Sequence, residues 1–197
     1  MTDKDSTPSP RQSQLLELAY RYALKHGLAE LSLRPMATAI GSSPRVLLYL
    51  FGSKDGLVRA LLARAREDEL EMLEHLHASS AEYPAGLDVT AGHVWTWLAA
   101  KDRRALLTLW VEGYARSLLN LDGPWARFAT LTIEDWLNLL AAAQPAEHRN
   151  TPAGRAQRTL TLAVLRGALL DLLATGDIER TTAAVKQHLE SHRTTMQ

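Results

Sequence analysis

The sequence contains no cysteine, and this absence excludes several classes of protein and site at once. A disulfide-stapled scaffold, a metal site built on thiolates and a cysteine nucleophile all require that residue. Long apolar runs are also missing, since no stretch approaches the roughly 18–20 residues that a membrane-spanning helix needs. Residues 1–5 are acidic overall, where a secretory signal would be basic and then apolar. We therefore expect a cytoplasmic protein with no membrane partner.

A net charge is missing as well, because 22 basic residues balance 22 acidic ones. The balance conceals an asymmetry along the chain. Residues 1–66 contain ten Lys and Arg but only five acids, whereas the remainder contains twelve against seventeen. A basic first third is typical of a segment that approaches a polyanion, and an acidic remainder is not. Chance segregation of surface charge produces the same split, so charge alone does not decide the partner.

Strand-like alternation between hairpin turns is absent too, and helical periodicity with its breakers predicts an all-α fold of nine or ten helices. An unstructured arm, residues 6–10, precedes a helix over residues 12–26 and a short second helix from residue 33. Gly41 and Ser42 then form a tight break before a third helix that ends at Phe51. Later helices are predicted over residues 88–100, 103–119, 125–142, 155–174 and 178–190, with breaks at 81–87, 120–124 and 144–154.

A long fourth helix, from Lys54 to about His77, joins the basic segment to the acidic remainder. Its apolar stripe is interrupted at residues 66–69, Arg-Glu-Asp-Glu, and resumes at Met72. A stripe that breaks and resumes indicates a helix that packs in two cores.

Three short capped helices with a glycine turn before the third are typical of a helix-turn-helix, although a plain three-helix bundle has the same spacing. The third helix favours the first interpretation. A buried face at Leu47, Leu50 and Phe51 leaves the opposite side of the helix in solvent. That exposed side carries Arg45, Val46, Leu48 and Tyr49. Arginine reads guanine in a major groove, tyrosine reaches phosphate, and aliphatic side chains contact thymine methyl groups.

Residues 41–57 carry a more specific motif. It is similar to the pattern Gly-Val-Ser-x-Gly-x-Leu-Tyr-x-His-Phe-x-Ser-Lys-x-x-Leu. The matching positions are Gly41, Ser43, Leu47, Phe51, Ser53, Lys54 and Leu57. On these residues the chain resembles the TetR family of repressors. Upstream, residues 31–37 resemble the start of the family's second helix.

The resemblance implies two parts: an arm and helix-turn-helix DNA-binding domain over residues 1–53, and a connecting helix with an effector-binding and dimerisation domain over residues 54–197. It also implies a ligand-responsive repressor that binds a near-palindromic operator on double-stranded DNA as a homodimer. Phosphate contacts are implied for Arg34, Ser43 and Lys54, and for Lys54 the alternative is an ordinary solvated lysine. The residues expected to contact DNA are Arg34, Ser43, Pro44, Arg45, Val46, Leu48, Tyr49 and Lys54.

The motif departs from the family pattern at positions that usually touch phosphate. Leu48 occupies the usual tyrosine position, Leu50 stands where histidine is common, and Arg45 replaces a small residue. These departures leave an alternative open: a helical module that binds a small molecule or a protein and has lost sequence-specific DNA binding.

The acidic remainder contains all five tryptophans. In the family this part forms a ligand cavity and a dimer face, so the candidates for effector contact are Trp95, Trp110, Tyr114 and Trp136. Plain core packing explains each of these aromatic residues equally well. The last two long helices are expected to form the dimer face, or to pack within the chain. Their candidate features are the Gly167-Ala168 pair and a stripe at Ile178, Thr182, Val185 and Leu189.

Signals for catalysis are few. Glu71 and His75, like His188 and His192, are one helical turn apart, a spacing that metals use, but the sequence offers no evident third ligand. The sequence also has no phosphate-binding glycine loop and no identifiable nucleophile with its base. We therefore expect no enzymatic activity, no cofactor and no metal.

Overall fold

The computed structural model describes residues 9–28, 31–81 and 86–195. Within these residues the protein has ten α-helices and no β-strand, which confirms the predicted all-α fold. A single 3-10 turn, Lys101–Arg103, precedes the sixth helix. The helices are α1 Pro10–His26, α2 Leu33–Ala39, α3 Pro44–Phe51, α4 Lys54–Ala81, α5 Gly86–Leu98, α6 Arg104–Leu119, α7 Phe128–Ala142, α8 Ala146–Arg149, α9 Pro152–Thr175 and α10 Ile178–Thr195. No helix in the described part of the chain is both long and apolar enough to cross a membrane.

Several helices begin where local sequence dictates. A serine or threonine caps the first backbone amides of α1, α3 and α9, and a proline follows at the start of each helix, where its missing N–H costs nothing. The caps are Ser9, Ser43 and Thr151. Because Thr151 accepts a hydrogen bond from the Gly154 amide at 3.0 Å, α9 begins earlier than the predicted residue 155.

Other predicted boundaries in the C-terminal half need correction, among them the end of α10, which lies at Thr195 and not at residue 190. The helix predicted from residue 125 begins instead at Phe128, because Arg127 takes a left-handed conformation with φ of 64° that interrupts the helix. Trp125 therefore lies in the preceding turn, where it is buried. The predicted break over residues 144–154 contains the short helix α8. Residues 6–8 of the predicted arm and residues 82–85 of another predicted break lie outside the described residues.

The N-terminal helices pack around a small core that α4 completes. Helix α3 contributes one fully buried side chain, Leu47, whereas Leu50 and Phe51 are half-buried. Gly41, with φ of +66°, allows the sharp turn between α2 and α3 that sets these two helices against each other. The Gln12 amide group donates to the Leu50 carbonyl at 3.0 Å and ties α1 to α3. The geometry is that of a helix-turn-helix.

Helix α4 packs in two cores, as its interrupted stripe predicts. It contacts the N-terminal helices α1 and α3 as well as α5, α6 and α7 of the C-terminal part. The charged run that interrupts the stripe forms the polar links between these layers. Arg66 pairs with Asp135 of α7 at 2.6 Å, and Glu69 is fully buried.

Helices α9 and α10 form an antiparallel pair joined at Gly176. Of the α10 stripe expected to serve dimerisation or packing within the chain, three residues pack within the chain and Ile178 is 38% exposed. Val185 is buried, Thr182 accepts a hydrogen bond from the Trp95 indole at 3.0 Å, and Leu189 packs against the core. This outcome follows from the position of α5, which covers the inner side of α10.

Candidate functional site

Helix α3 presents an unusual surface to solvent. Tyr49 is 86% exposed, Leu48 is 40% exposed and Val46 is 38% exposed, and Arg45 is exposed beside them. Leu47, on the other side of the helix, is only 1% exposed. The structure therefore confirms the geometry predicted for this helix, with its aromatic and aliphatic side chains turned away from the core.

Two basic side chains on the neighbouring helices α2 and α4 are also exposed. Arg34 lies exposed in the first turn of α2, and Lys54 lies exposed at the start of α4. None of the ion pairs formed among the described residues involves Arg34, Arg45 or Lys54. Surface cations without acidic partners are free to neutralise phosphates.

Ser43 and Pro44 form the start of the exposed helix. The Ser43 hydroxyl accepts a hydrogen bond from the Val46 amide at 3.3 Å, which leaves its own proton to donate. Pro44 is half-buried at the first helical position. The two residues fix the end of α3 that a groove-binding helix places against DNA.

A polar cluster connects α1 to α4. Arg64 forms ion pairs with Glu17 at 2.6 Å and with Asp68, and its guanidinium lies 5.0 Å from the centre of the Tyr20 ring. The Tyr20 hydroxyl donates to Asp68 at 2.7 Å. Burial and this carboxylate raise the pKa of Tyr20 far above its ordinary value, so the phenol keeps its proton and the hydrogen bond persists.

A second link joins the end of α1 to α6. The Leu28 amide donates to the Glu112 carboxylate at 2.8 Å. Together with the cluster around Arg64, it fixes the N-terminal helices to the remainder of the chain through α4 and α6.

A cavity of about 110 Å³ lies among α5, α6, α7 and α9. Three of the four predicted effector residues line it: Trp110, Tyr114 and Trp136. The structure places the fourth, Trp95, elsewhere, because its indole donates to Thr182 between α5 and α10. The remaining lining consists of six aliphatic side chains, Thr132 and Arg166.

Both cavity tryptophans are bonded to α4. The Trp110 indole N–H donates to the Ala65 carbonyl at 3.4 Å, and the Trp136 indole N–H donates to Glu69 Oε1 at 2.5 Å. The two rings meet edge to face with centres 6.3 Å apart. One short segment of α4, from Ala65 to Glu69, thus supports a wall of the cavity, and the same helix follows directly from α3 at its other end.

Glu69 was not among the predicted site residues. Burial raises the pKa of its carboxyl to about 7, and the Trp136 hydrogen bond only partly offsets this effect. Its second oxygen, Oε2, has no hydrogen-bond partner within the described residues. The sequence does contain a signal for its burial, because Glu69 follows Ala65 by four residues and so lies on the same helical face.

Arg166 is a second site residue that sequence reasoning missed. It lines the cavity from α9 and donates from Nη1 to the Tyr114 hydroxyl at 2.9 Å. Its guanidinium carbon also lies 5.8 Å from the centre of the Tyr114 ring. In sequence it resembles any charged position on a long amphipathic helix, so only the packing of α9 against α6 reveals it.

No family model matches this sequence, and no curated protein matches it significantly. Solved structures match it over most of its length. A TetR transcription regulator from Haloarcula marismortui is 17% identical with a TM-score of 0.70, and the match covers 93% of this chain and 98% of that one. A transcriptional regulator from Rhodococcus sp. Rha1 is 18% identical with a TM-score of 0.74, covering 91% and 94%.

A third match is the multidrug binding protein EbrR in complex with imidazole. It is 23% identical with a TM-score of 0.63, and the match covers 95% of this chain and 96% of that one. At identities this low the likeness is one of fold. The chain has the fold of TetR-family transcription regulators, which confirms at the level of the fold the resemblance seen in residues 41–57.

Proposed function

We propose that this protein is a ligand-responsive transcriptional repressor in the cytoplasm that binds a near-palindromic DNA operator as a homodimer and has no enzymatic activity. In this proposal residues 1–53 bind DNA, and residues 54–197 bind the effector and form the dimer. The observation that carries it is the exposed, partly apolar surface of α3, which leads directly into a helix that is bonded further along to an aromatic cavity.

The DNA contacts divide by chemistry. Arg45 bonds a guanine edge. Beside it, Val46 and Leu48 contact thymine methyl groups, and Tyr49 contacts the sugar–phosphate backbone. Arg34, Ser43 and Lys54 hold phosphates, with Pro44 setting the end of the helix, and these contacts fix position without reading sequence.

Dimerisation is assigned to the outer face of α9. Leu160 and Leu170 are 51% and 52% exposed on this helix, and Gly167 lies exposed between them. A Cβ atom added at Gly167 would meet nothing within 4 Å in this chain. An apolar face that includes a glycine allows a second copy of the helix to approach closely.

Release of DNA is assigned to the two tryptophans. A ligand in the cavity displaces the Trp110 or Trp136 ring, and the indole N–H groups then move the α4 backbone at Ala65 or the buried Glu69 side chain. Because α4 follows α3 after only a two-residue turn, this movement changes the separation of the two recognition helices in a dimer. EbrR, a protein of similar fold, is described as a multidrug binding protein, which supports a small-molecule effector.

Selection of bound fragments from genomic DNA tests the proposal. The full chain should enrich a near-palindromic site, and Arg45→Ala should lose that enrichment while it retains helicity and melting temperature. If the full chain enriches no sequence above input, the proposal is wrong. The alternative, a helical module that has lost sequence-specific DNA binding, would then hold. Leu48 and Leu50, which replace the usual phosphate-contacting tyrosine and histidine, would account for the loss.

A further inference from the structure

The cavity contains an arginine whose contacts are all with neutral groups. Among the described residues that line the cavity, Arg166 is the only charged one. Its contacts there are the Tyr114 hydroxyl at 2.9 Å and the Tyr114 ring. No carboxylate of the described residues forms an ion pair with it. Arginine stays charged in proteins, so a half-buried guanidinium in apolar surroundings favours an anion beside it.

The rest of the lining indicates the chemistry of the part of the ligand that does not contact Arg166. Apolar side chains surround the arginine: Leu98, Val111, Ile133, Leu162, Leu169 and Leu170. Two tryptophan rings, Tyr114 and Thr132 form the rest of the wall, and the buried Thr132 hydroxyl has no hydrogen-bond partner within the described residues. A ligand that satisfies this lining has an apolar or aromatic body, and one anionic group at the end near α9.

We propose that the cavity binds an apolar carboxylic acid and that Arg166 holds its carboxylate. This inference rests on the proposed function of the cavity as the effector site. The planar guanidinium matches a carboxylate with two parallel N–H donors. The Tyr114 hydroxyl accepts from Arg166 and keeps its own proton to donate to the same carboxylate.

Size and charge argue against other ligand classes. A cavity of about 110 Å³ accommodates a single ring or a short alkyl chain. A phosphate monoester carries nearly two charges and would need more donors than one arginine and one phenol. A cation would be repelled by Arg166, and Glu69 is not among the described residues that line the cavity.

Calorimetric titration of the full chain with three matched probes tests this inference: 4-methylbenzoic acid, 4-methylbenzamide and 4-methylbenzylamine. The acid should bind at least about tenfold more tightly than the neutral amide. Arg166→Gln should remove this preference and leave the affinity for the amide nearly unchanged. Arg166→Lys, which keeps the charge but loses the planar pair of donors, should retain part of it. Arg155→Gln, an exposed arginine on the same helix, is the control and should retain all of it.

Each contrary result overturns a different claim. Equal binding of acid and amide by the unmodified chain rejects the carboxylate, while the cavity remains a ligand site. Tighter binding of the amine also rejects it and points to Glu69. Binding of none of the probes by a chain that still selects DNA rejects the inference together with this cavity as the effector site, but not DNA recognition. If Arg166→Gln fails to fold, the inference is tested by the other two proteins. The unmodified chain should prefer the acid to the amide, and Arg166→Lys should show a smaller preference.

Discussion

Arg45 and Lys54 are both exposed cations near α3, yet their positions assign them different roles. In the proposed complex, Arg45 lies at the end of α3 that enters a groove, whereas Lys54, at the start of α4, meets the DNA backbone. Arg45→Ala should therefore lower operator binding more than binding to random DNA, by roughly 1–3 kcal/mol of discrimination. Lys54→Ala should weaken both alike.

Competition titrations with operator and scrambled duplex separate these outcomes. Lys54→Ala should also flatten the salt slope by about one for each phosphate that the lysine no longer neutralises. An unchanged ratio of specific to nonspecific binding in Arg45→Ala would make this arginine a phosphate ligand. Base reading would then fall to Val46, Tyr49 or the second helix.

Glu69 makes the stability of the folded protein depend on pH. Its carboxyl has an ordinary pKa of 4.5 that burial raises to about 7. The folded chain therefore holds this proton to higher pH than the unfolded chain, and the stability it provides is lost as pH rises from about 4.5 to about 7. Glu69→Gln has no carboxyl to ionise, so its free energy of unfolding should not fall with pH for this reason. Relative to the unmodified chain, it should gain up to about 3 kcal/mol in free energy of unfolding between pH 5 and pH 8.

Urea unfolding of both proteins at the two pH values measures the gain. Glu71→Gln, on the exposed side of the same helix, is the control and should follow the unmodified chain. A difference between Glu69→Gln and the unmodified chain that stays constant with pH would show that Glu69 does not titrate in this range.

At the scale of elements, α9 has a buried inner face and an apolar outer face. The inner face, which includes Leu162, Leu165 and Leu169, fills the core. The outer face at Gly167 has open space around it. Gly167→Arg should fold normally as a monomer, because nothing in the chain obstructs the new side chain and glycine costs about 1 kcal/mol in a helix interior. The same arginine should disrupt a dimer formed through this face.

Sedimentation velocity of the variant checks this expectation. Thr130→Arg, at an exposed position of α7, adds the same side chain away from α9 and should leave the oligomeric state unchanged. If the unmodified chain sediments as a dimer and the Gly167→Arg protein does so too, the interface lies on another face.

At the scale of the whole molecule, the net charge is zero, but residues 1–66 are net basic and the remainder is net acidic. The basic first third becomes twofold in a dimer, and DNA binding releases counterions from the phosphates that it neutralises. If Arg34 and Lys54 of both protomers each hold one phosphate, the logarithm of the affinity should fall with the logarithm of salt concentration with a slope of about −4 or steeper. Binding to a defined operator at several potassium chloride concentrations gives this slope. A slope near zero contradicts an electrostatic interface.

What the sequence by itself determined depends on interactions between near neighbours. The serine cap at position 43, the proline after it and the glycine at position 41 fix where α3 begins, and helical periodicity then exposes Arg45 and Tyr49. All these effects act within a few residues, so they can be predicted without the fold. For the same reason α1 to α3 agree closely with their predicted bounds.

The tertiary structure alone decided which of several similar residues form the cavity. Trp95 and Trp136 both look like buried aromatic residues in sequence, but α10 covers one and the cavity borders the other. Arg166 looks like a surface charge, yet the packing of α9 against α6 and α7 places it in the wall of the cavity. The α10 stripe fits a dimer face or packing within the chain, and the position of α5 gives Thr182, Val185 and Leu189 the second role. These outcomes depend on contacts between residues far apart in the chain, and local periodicity does not specify which partner covers an apolar face.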